Sequence, residues 1–181
     1  MNYKKALKYY YFPKEFNIDN LKKLTKRRNI SIILGYNNHS QNEFLETIKF
    51  CKKWKIGFYL VNDFKMVIKY GAKGIFLNSD FKRQIFRDVT FKNIEIIGSA
   101  HNQLEYFFKK RQMCNKLTLS PIFKNIKYSH NKILNVVRFN LICYSWRLNL
   151  IALGGINSKS LKKISMTRVK GIGFREFIKE F

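Results

Sequence analysis

Residues 149–160, NLIALGGINSKS, carry the signals that decide the fold of this chain. The continuous apolar run at the start is typical of a strand buried on both faces, as in a parallel sheet. Gly154 and Gly155 end this run, and in the polar stretch that follows Asn157 or Ser158 can cap a helix. Glycine weakens regular structure by roughly 0.5–1 kcal/mol. The pair therefore predicts either a turn with positive φ or a group that comes very close to the backbone.

The same alternation of apolar run and helical pattern repeats along the 181 residues, which predicts βα units and a parallel sheet. We expect one domain over residues 1–181 with the fold of a compact (β/α)₈ TIM barrel, and a doubly wound open sheet is the alternative. The eight predicted strands are LKYYYF (7–12), ISIILG (30–35), IGFYLV (56–61), KGIFL (73–77), IEIIGS (94–99), KLTLS (116–120), LNLIAL (148–153) and VKGIG (169–173).

Helical patterns lie between most of these strands. Ser40 and Glu43 have the spacing of a capping box, which predicts the start of a helix. Gly71 stands where a short helix after the third strand would need its C-cap. The stretch ILNVVRFNLICYSW (133–146) fits both a helix and a strand, and the helical pattern between 80 and 94 is weak.

The composition is strongly basic, with 36 Lys and Arg against 11 Asp and Glu and a formal net charge of +25. Such a field attracts nucleic acids, membranes and phosphorylated small molecules. The abundance of Lys, Asn, Ile, Phe and Tyr also fits a genome rich in A and T, and the basic residues spread along the whole chain instead of forming a tail. A functional charge and a genomic bias therefore both stay open as explanations.

Cysteine usage and the lengths of the apolar runs predict a cytoplasmic protein. The apolar runs have strand length, and the first residues lack a small-residue cleavage site, so neither a membrane span nor a signal peptide is expected. Cys51, Cys114 and Cys143 are widely spaced and form no CxxC pair. This usage predicts a reducing compartment and small core hydrophobes, and it argues against a disulfide framework or a zinc site.

Polar residues follow several predicted strands, and in a (β/α)₈ barrel function collects at these carboxyl ends. Asp63 follows the third strand and Asp80 the fourth, and two such carboxylates could hold Mg²⁺ together with phosphate oxygens. Helix N-caps are the alternative interpretation of both. Ser99, after the fifth strand, can donate to a phosphate or cap the next helix. His101 is either a base or a surface residue at a helix start.

The last three strand ends suggest an anion site. The loop SPIFKNIKYSHNK (120–132) is basic and either closes on an anionic ligand or is simply exposed. Gly154 and Gly155 follow the seventh strand, and Gly171 and Gly173 mark the eighth. Barrels often bind phosphate in the loops after strands seven and eight, where backbone N–H groups at a helix start point at the anion. Two tight turns are the alternative interpretation.

Several stretches occur together in an order that resembles the thiamine phosphate synthase and thiazole tautomerase (TenI) family. The resemblance implies a (β/α)₈ barrel and Mg²⁺, and a reaction that joins hydroxymethylpyrimidine diphosphate to a thiazole phosphate with release of pyrophosphate. The tautomerase branch fits less well, because Pro121 stands where that branch has a characteristic histidine. The stretches are LVND (60–63), GAKGIFLNSD (71–80), IIGSAHNQLE (96–105), LSPIF (119–123), IALGGIN (151–157) and VKGIG (169–173).

The resemblance also implies roles at matching positions. Asp63 and Asp80 match the Mg²⁺ ligands, and Asn62 matches a residue near the substrate diphosphate. Ser99 matches a serine of the pyrimidine site, and Gly155 the glycine that approaches the thiazole phosphate. The predicted site comprises Ser99 and Lys127 as catalytic residues, Asp63 and Asp80 as metal ligands, and Asn62, Asn125, Gly154, Gly155, Gly173 and Arg175 as substrate- and phosphate-binding residues.

Two strand ends depart from the family pattern. The second strand of the family ends in Gln-x-Arg-x-Lys, which grips the pyrimidine and the diphosphate, whereas this chain has ILGYN (33–37) there. Phe76 replaces the histidine that is usual after the fourth strand. Loss of the strand-two arginine removes a strong charge-assisted contact to the diphosphate.

Two later loops depart as well. The loop after the sixth strand keeps Pro-x-Phe, but Asn125 stands at the first Thr of the family pattern, and a one-residue shift would put Lys127 in the place of the lysine. After the eighth strand Glu176 replaces a common Ser, and Arg175 beside it can offset the negative charge.

Three functions are therefore in competition. The leading hypothesis is a cytoplasmic, Mg²⁺-dependent thiamine phosphate synthase that acts on phosphorylated small molecules. The second is a barrel of the same family that binds a phosphate ligand without turnover or with altered specificity. A nucleic-acid-binding protein ranks last, because the chain has no RNP-like aromatic motif. We expect no membrane partner, and a homo-oligomer is compatible with the sequence.

Overall fold

The computed structural model describes residues 7–15, 17–26, 28–35, 40–84, 93–124 and 133–175. All eight predicted strands are present, and the bounds of each agree with its predicted stretch to within a few residues. The elements in chain order are β1 (Lys8–Tyr11), α1 (Ile18–Thr25), β2 (Ile30–Leu34), α2 (Gln41–Lys53), β3 (Gly57–Val61), α3 (Phe64–Tyr70), β4 (Gly74–Leu77), β5 (Glu95–Ala100), α4 (Gln103–Arg111), β6 (Lys116–Leu119), α5 (Asn135–Ser145), β7 (Asn149–Ala152), α6 (Ser158–Ser165) and β8 (Gly171–Phe174).

The eight strands form a closed parallel barrel in which each strand pairs with the next in sequence and β8 pairs with β1. Tyr9 of β1 lies beside Ile30 on one side and Ile172 on the other, so the pairing runs around the full circle. The (β/α)₈ prediction is confirmed and the open-sheet alternative is wrong. Because all strands are parallel, their carboxyl ends meet at one end of the barrel, which we call the mouth, and their amino ends meet at the other, which we call the base.

Side chains alternate between the barrel interior and the layer under the helices, since successive residues of a strand point to opposite faces. Tyr10 packs in the interior, whereas Tyr11 packs under the helices. The barrel is filled by large side chains and is a packed core rather than a channel. The interior cluster comprises Tyr10, Ile33, Tyr59, Phe76, Ile97 and Ile151, with Phe12 and Val61 packed against it.

Local helix signals act as the sequence predicts. The Ser40 hydroxyl accepts from the Glu43 N–H, the Glu43 carboxylate accepts from the Ser40 N–H, and α2 begins there. Gly71 ends α3 in the left-handed conformation, with φ of 64°. The ambiguous stretch 133–146 contains a helix, α5. No helix occurs in residues 78–84 between β4 and β5.

The cysteines are free thiols, with Cys51 and Cys114 buried and Cys143 half-buried. Burial raises the pKa of Cys51 and of Cys114 to about 12, so both stay protonated near neutral pH. They therefore behave as small hydrophobic side chains. In the part of the chain that the structure describes, no helix has the length and apolar character needed to cross a membrane.

Candidate functional site

The mouth of the barrel gathers most of the predicted site residues. Asn62 and Asp63 follow β3, Asp80 comes three residues after β4 ends, and Arg175 follows β8. The parallel pairing of β3 with β4 and of β4 with β5 places their carboxyl ends side by side. Asn125 and Lys127 lie outside the described residues, and so do Tyr36, Asn37 and Glu176.

Asn62 links the ends of two neighbouring strands. Its φ of 59° lies in the left-handed region, which Asn tolerates better than most residues with a side chain. Its backbone N–H donates to the Phe76 carbonyl at 2.9 Å, and its Oδ1 accepts from the Asn78 N–H at 3.0 Å. Asn62 therefore holds the carboxyl end of β3 against the carboxyl end of β4. These are the backbone segments that lead to Asp63 and Asp80.

Asp63 caps α3, because its Oδ1 accepts from the Met66 N–H at 3.0 Å. The capping role that competed with the metal role is thus present. A carboxylate offers about four lone-pair sites, so one capping bond leaves acceptor capacity for a cation. The side chain is exposed, and no Lys or Arg among the described residues forms an ion pair with it.

Asp80 is exposed in the turn after β4, and no helix begins in residues 81–84, so it is not an N-cap there. Side chains at the C-terminal end of α4 bind the backbone of the loop that contains Asp80. The buried Lys109 ammonium donates to the Asn78 carbonyl and, at 3.1 Å, to the Phe81 carbonyl. Gln112 Nε2 also donates to the Phe81 carbonyl, at 3.0 Å. These two side chains fix the segment that carries Asp80.

Lys109 is a residue that sequence reasoning missed. Lys109 stands in the basic run KKR (109–111), a pattern typical of the exposed end of a helix, yet only 1 % of Lys109 is exposed. Burial lowers its pKa. Three apolar residues of the same helix, Leu104, Phe107 and Phe108, are exposed instead. The available signal was the spacing of Tyr106, Lys109 and Gln112, which lie on one face at intervals of three.

Ser99 lies inside β5 rather than after it, and Asn102 caps α4 in its place. Ser99 alternates with Ala100, which faces the helices, and shares its face with Ile97 of the interior. Its side chain therefore points into the barrel near the mouth. Ser99 is buried, and its hydroxyl has no hydrogen-bond partner among the described residues. A buried hydroxyl without a partner is available to a ligand.

His101 joins the ends of β5 and β6. Its Nδ1 lies 2.7 Å from the Ser120 carbonyl oxygen and 3.3 Å from the Ser120 hydroxyl. A carbonyl oxygen only accepts, so Nδ1 carries a proton and Nε2 is the acceptor of the neutral ring. The His101 backbone N–H donates to the Glu105 carboxylate at 2.8 Å.

Gly154 and Gly155 have φ of 90° and 68°, as the turn prediction required. The close approach comes from the chain itself. A Cβ on Gly155 would lie 2.5 Å from the Phe123 carbonyl oxygen, and one on Gly154 would lie 2.9 Å from the Pro121 Cα. The Phe123 N–H also donates to the Gly154 carbonyl at 3.1 Å. The two glycines therefore allow the segment after β6 to pack against the segment after β7.

Gly173 lies within β8, and its missing side chain leaves room for Leu153 and Phe12. A Cβ there would lie 2.8 Å from Leu153 Cδ1 and 3.0 Å from Phe12 Cε2. This is a packing role. Arg175, directly after the strand, is exposed.

The end of β2 and the neighbouring interior are apolar. Ile33 is buried in the barrel, Leu34 faces the helices, and Gly35 follows. Phe76 packs edge-on against Phe12, with ring centroids 5.3 Å apart. The floor of the mouth is therefore hydrophobic.

Asp63 and Asp80 do not belong to a larger cluster of metal-ligating side chains in the described part of the chain. Among the described residues, no group of three or more His, Cys, Asp or Glu is placed to hold a metal ion. A metal at the mouth would therefore need ligands from its substrate in addition to Asp63 and Asp80.

A family model described as thiamine monophosphate synthase matches residues 19–178. Among solved structures, the chain is similar to thiamine phosphate pyrophosphorylase from Pyrococcus furiosus, with 16% identity and a TM-score of 0.73 over 96% of this chain and 88% of that one. The same enzyme from Bacteroides thetaiotaomicron shows 15% identity and a TM-score of 0.61 over 94% and 83%. N-(5'-phosphoribosyl)anthranilate isomerase from Pyrococcus furiosus shows 12% identity and a TM-score of 0.61 over 93% and 88%. These structures share the fold. No curated protein matches the chain.

Proposed function

We infer the function from the premise that this chain belongs to the thiamine monophosphate synthase family. We propose that its mouth couples hydroxymethylpyrimidine diphosphate to thiazole phosphate and releases pyrophosphate. The observation that carries the proposal is the placement of Asp63, Asp80 and Ser99 at the adjacent ends of β3, β4 and β5. Two exposed carboxylates and one buried hydroxyl without a described partner there suit a charged diphosphate and a polar ring.

The reaction makes clear demands on such a site. The bond between the pyrimidine methylene carbon and the diphosphate oxygen breaks, and pyrophosphate leaves with the electron pair. The thiazole nitrogen then bonds to the same carbon, and the ring becomes a thiazolium cation, with no net proton transfer. Positive charge develops on the carbon, so the site must hold the leaving group and exclude water. The apolar floor of Phe12, Phe76 and Val61 supports water exclusion from below.

The donor set fits Mg²⁺. This ion binds proteins through one or two carboxylates and completes its octahedron with substrate phosphates and water. Asp63 and Asp80 are exposed, lie at neighbouring strand ends, and form no ion pair with a described residue. We assign both as ligands. A bound ion would neutralise the charge of the leaving pyrophosphate.

The remaining residues divide between the two substrates. Ser99 donates to the pyrimidine ring, and Asn62 orients the strand ends that flank the diphosphate. The seam of Gly154 and Gly155 and the guanidinium of Arg175 take the thiazole phosphate, supported by the α6 N-terminus that follows. Roles for Asn125, Lys127 and Gly173 toward the ligand stay predictions.

A second candidate is a barrel that binds the phosphate ligand without turnover. The position of Ile33 favours it, because an apolar side chain fills the interior where the family pattern places a polar one. The protonated, unpaired thiols support a reducing, cytoplasmic location for either candidate. Nucleic-acid binding and a homo-oligomer stay predictions of the sequence.

The test is product formation from the two phosphorylated precursors with Mg²⁺, followed by mass spectrometry. We expect thiamine phosphate from the unaltered chain and none above background from Asp63→Asn, in which the amide still caps α3. Glu46→Gln, on the exposed face of α2, is the control and should keep full activity. Absence of product at enzyme concentrations near those of the substrates would show that the protein does not catalyse this reaction. Calorimetric binding of thiazole phosphate in that case supports the second candidate.

A further inference from the structure

A cavity of about 210 Å³ opens at the base of the barrel, at the opposite end from the mouth. It lies between the amino ends of β1, β6, β7 and β8, and Ile151 and Val169 form its apolar wall. Its volume is below the range of roughly 300–1,000 Å³ that holds drug-sized ligands, so it suits a small ion or group. Its polar lining comprises Lys8, Tyr10, Lys116, Asn149 and Lys170.

Positive charge is in excess around this cavity. Among the described residues, Glu95, at the start of β5, is the carboxylate of this cluster, and it accepts from the Lys116 ammonium and from the Tyr59 hydroxyl at 2.7 Å. Lys73 also lies near it, with its Nζ 3.9 Å from the Glu95 carboxylate. Burial lowers the pKa of Lys73, Glu95 opposes that shift, and the charges of Lys8 and Lys116 add to it. One carboxylate thus faces several ammonium groups.

Three polar side chains of the cavity have no hydrogen-bond partner among the described residues. Tyr10 and Tyr59 are interior neighbours, with ring centroids 6.1 Å apart. The Tyr59 hydroxyl donates to Glu95, whereas the Tyr10 hydroxyl has no hydrogen-bond partner among the described residues, although Tyr10 is only 1 % exposed. Buried polar groups in native proteins are almost always paired, so the Tyr10 hydroxyl is an exception. Asn149 and Lys8 are exposed, and their side chains also have no hydrogen-bond or ion-pair partner in the described part of the chain.

We propose that this cavity binds a small oxyanion, either free phosphate or the phosphate group of a small ester. Phosphate oxygens accept several hydrogen bonds at once and carry the negative charge that the cluster lacks. Lys8 supplies a cationic donor, Lys116 and Lys170 add positive charge to the lining, and Tyr10 and Asn149 supply the neutral donors. The site is separate from the mouth and does not depend on the function proposed for it.

The test measures binding of inorganic phosphate to the full chain by calorimetry at constant ionic strength, with chloride as the balancing anion. Loss of one charge-assisted hydrogen bond in Lys8→Gln should weaken the base site about 10-fold or more. Tyr10→Phe removes one neutral donor and should weaken it about 2- to 10-fold. Lys22→Gln, on the exposed surface of α1, makes the same change of charge and should leave the affinity unchanged.

Two outcomes of the calorimetry overturn the proposal. Equal weakening by Lys8→Gln and Lys22→Gln would show that phosphate only screens the net charge. Binding that responds to Arg175→Gln and not to Lys8→Gln would place the phosphate at the mouth instead. Binding that responds to Lys8→Gln while turnover is absent supports the base site and leaves the proposed reaction unsupported, so the two proposals fail separately.

A thermal measurement separates a ligand role of Tyr10 from a structural one. Because its hydroxyl has no described partner, Tyr10→Phe should keep the melting temperature of the phosphate-free protein. The rise in melting temperature that phosphate causes should shrink in the variant. Comparison with benzoate distinguishes a phosphate site from a general anion site, because benzoate does not offer the tetrahedral set of acceptors. An equal rise with both anions contradicts the phosphate assignment.

Discussion

At the base of the barrel the Glu95 carboxylate is paired with Lys116 and Lys73, whereas at the mouth the carboxylates of Asp63 and Asp80 are exposed. Glu95 accepts from Lys116 and Tyr59 in a partly buried network. Asp63 and Asp80 form no ion pair with a described residue, and Ser99 has no described partner. In barrels of this kind the amino ends of the strands usually serve stability and the carboxyl ends serve function. Glu95 at the base follows this rule, because its hydrogen bonds join neighbouring side chains of the barrel. Tyr10 departs from it, because its buried hydroxyl has no hydrogen-bond partner among the described residues.

The glycine seam at the mouth should show the largest effect on stability. In Gly155→Val the new side chain would meet the Phe123 carbonyl, and φ of 68° would be strained for any residue with a Cβ. Strain and overpacking together should lower the free energy of unfolding by about 4 kcal/mol. Urea denaturation measures it.

Gly71→Val is the matched control for this prediction. Gly71 has a similar φ of 64°, but nothing lies within 4 Å of the position of a Cβ. Strain alone should therefore cost about 1 kcal/mol. Equal losses in the two variants would show that the seam is an ordinary turn, and that the contact with the segment after β6 contributes nothing.

The support beneath Asp80 should give the next largest effect. Lys109→Met keeps the length of the side chain but removes the buried ammonium that donates to the Asn78 and Phe81 carbonyls. Of the described side chains, only Gln112 then remains as a donor to Phe81. We expect a loss of about 3 kcal/mol in the free energy of unfolding. Calorimetric melting gives the stability, and turnover at a temperature where the variant is folded gives the effect on the loop.

Lys110→Met, at the next and exposed position of α4, controls for charge and should change both quantities little. If Lys109→Met loses stability but keeps full turnover in its folded state, the loop does not need this support to place Asp80.

The ionic network at the base should give a smaller and pH-dependent effect. Burial alone would raise the pKa of Glu95, but the hydrogen bonds from Lys116 and Tyr59 lower it on balance. A carboxyl whose pKa is lowered on folding stabilises the protein above its unfolded pKa and loses that contribution as pH falls through the folded pKa. Glu95→Gln should therefore cost about 2 kcal/mol near neutral pH and little in acid.

Urea denaturation at several pH values measures this difference, with Glu46→Gln as a surface control. A loss that stays constant from neutral to acid pH would show that the charge of Glu95 is not what holds the base together.

The sequence predicted most of the fold, because short-range patterns set it. Eight apolar runs, the capping box at Ser40 and the C-cap at Gly71 depend on neighbours within a few residues. The helix α5 was left open, since its apolar residues fit two periods. The exposure of Leu104 and the burial of Lys109 were missed, because the carbonyls that accept from Lys109 lie about 30 positions earlier in the chain.

The sequence predicted at which strand ends the site residues lie, but not which groups they contact. The strand order alone brings Asp63 and Asp80 to one end of the barrel. The partner of the Gly154–Gly155 pair could not be predicted, because the approaching group is the chain itself, at residues 121–124. The base cavity had no signal either, since Lys8 and Asn149 are ordinary polar residues until the barrel closes β1 against β8.

The smallest expected effect on stability concerns Asp63, which has two roles to separate. As N-cap of α3 it can be replaced by Asn, so Asp63→Asn should stay within about 0.5 kcal/mol of the unaltered chain, whereas Asp63→Ala should lose about 1 kcal/mol. As a metal ligand it needs its charge, and both variants should lose turnover alike. Thermal denaturation and product formation are measured side by side. If Asp63→Asn keeps its turnover, capping is the whole role of Asp63, and the mouth then differs from the base only in exposure.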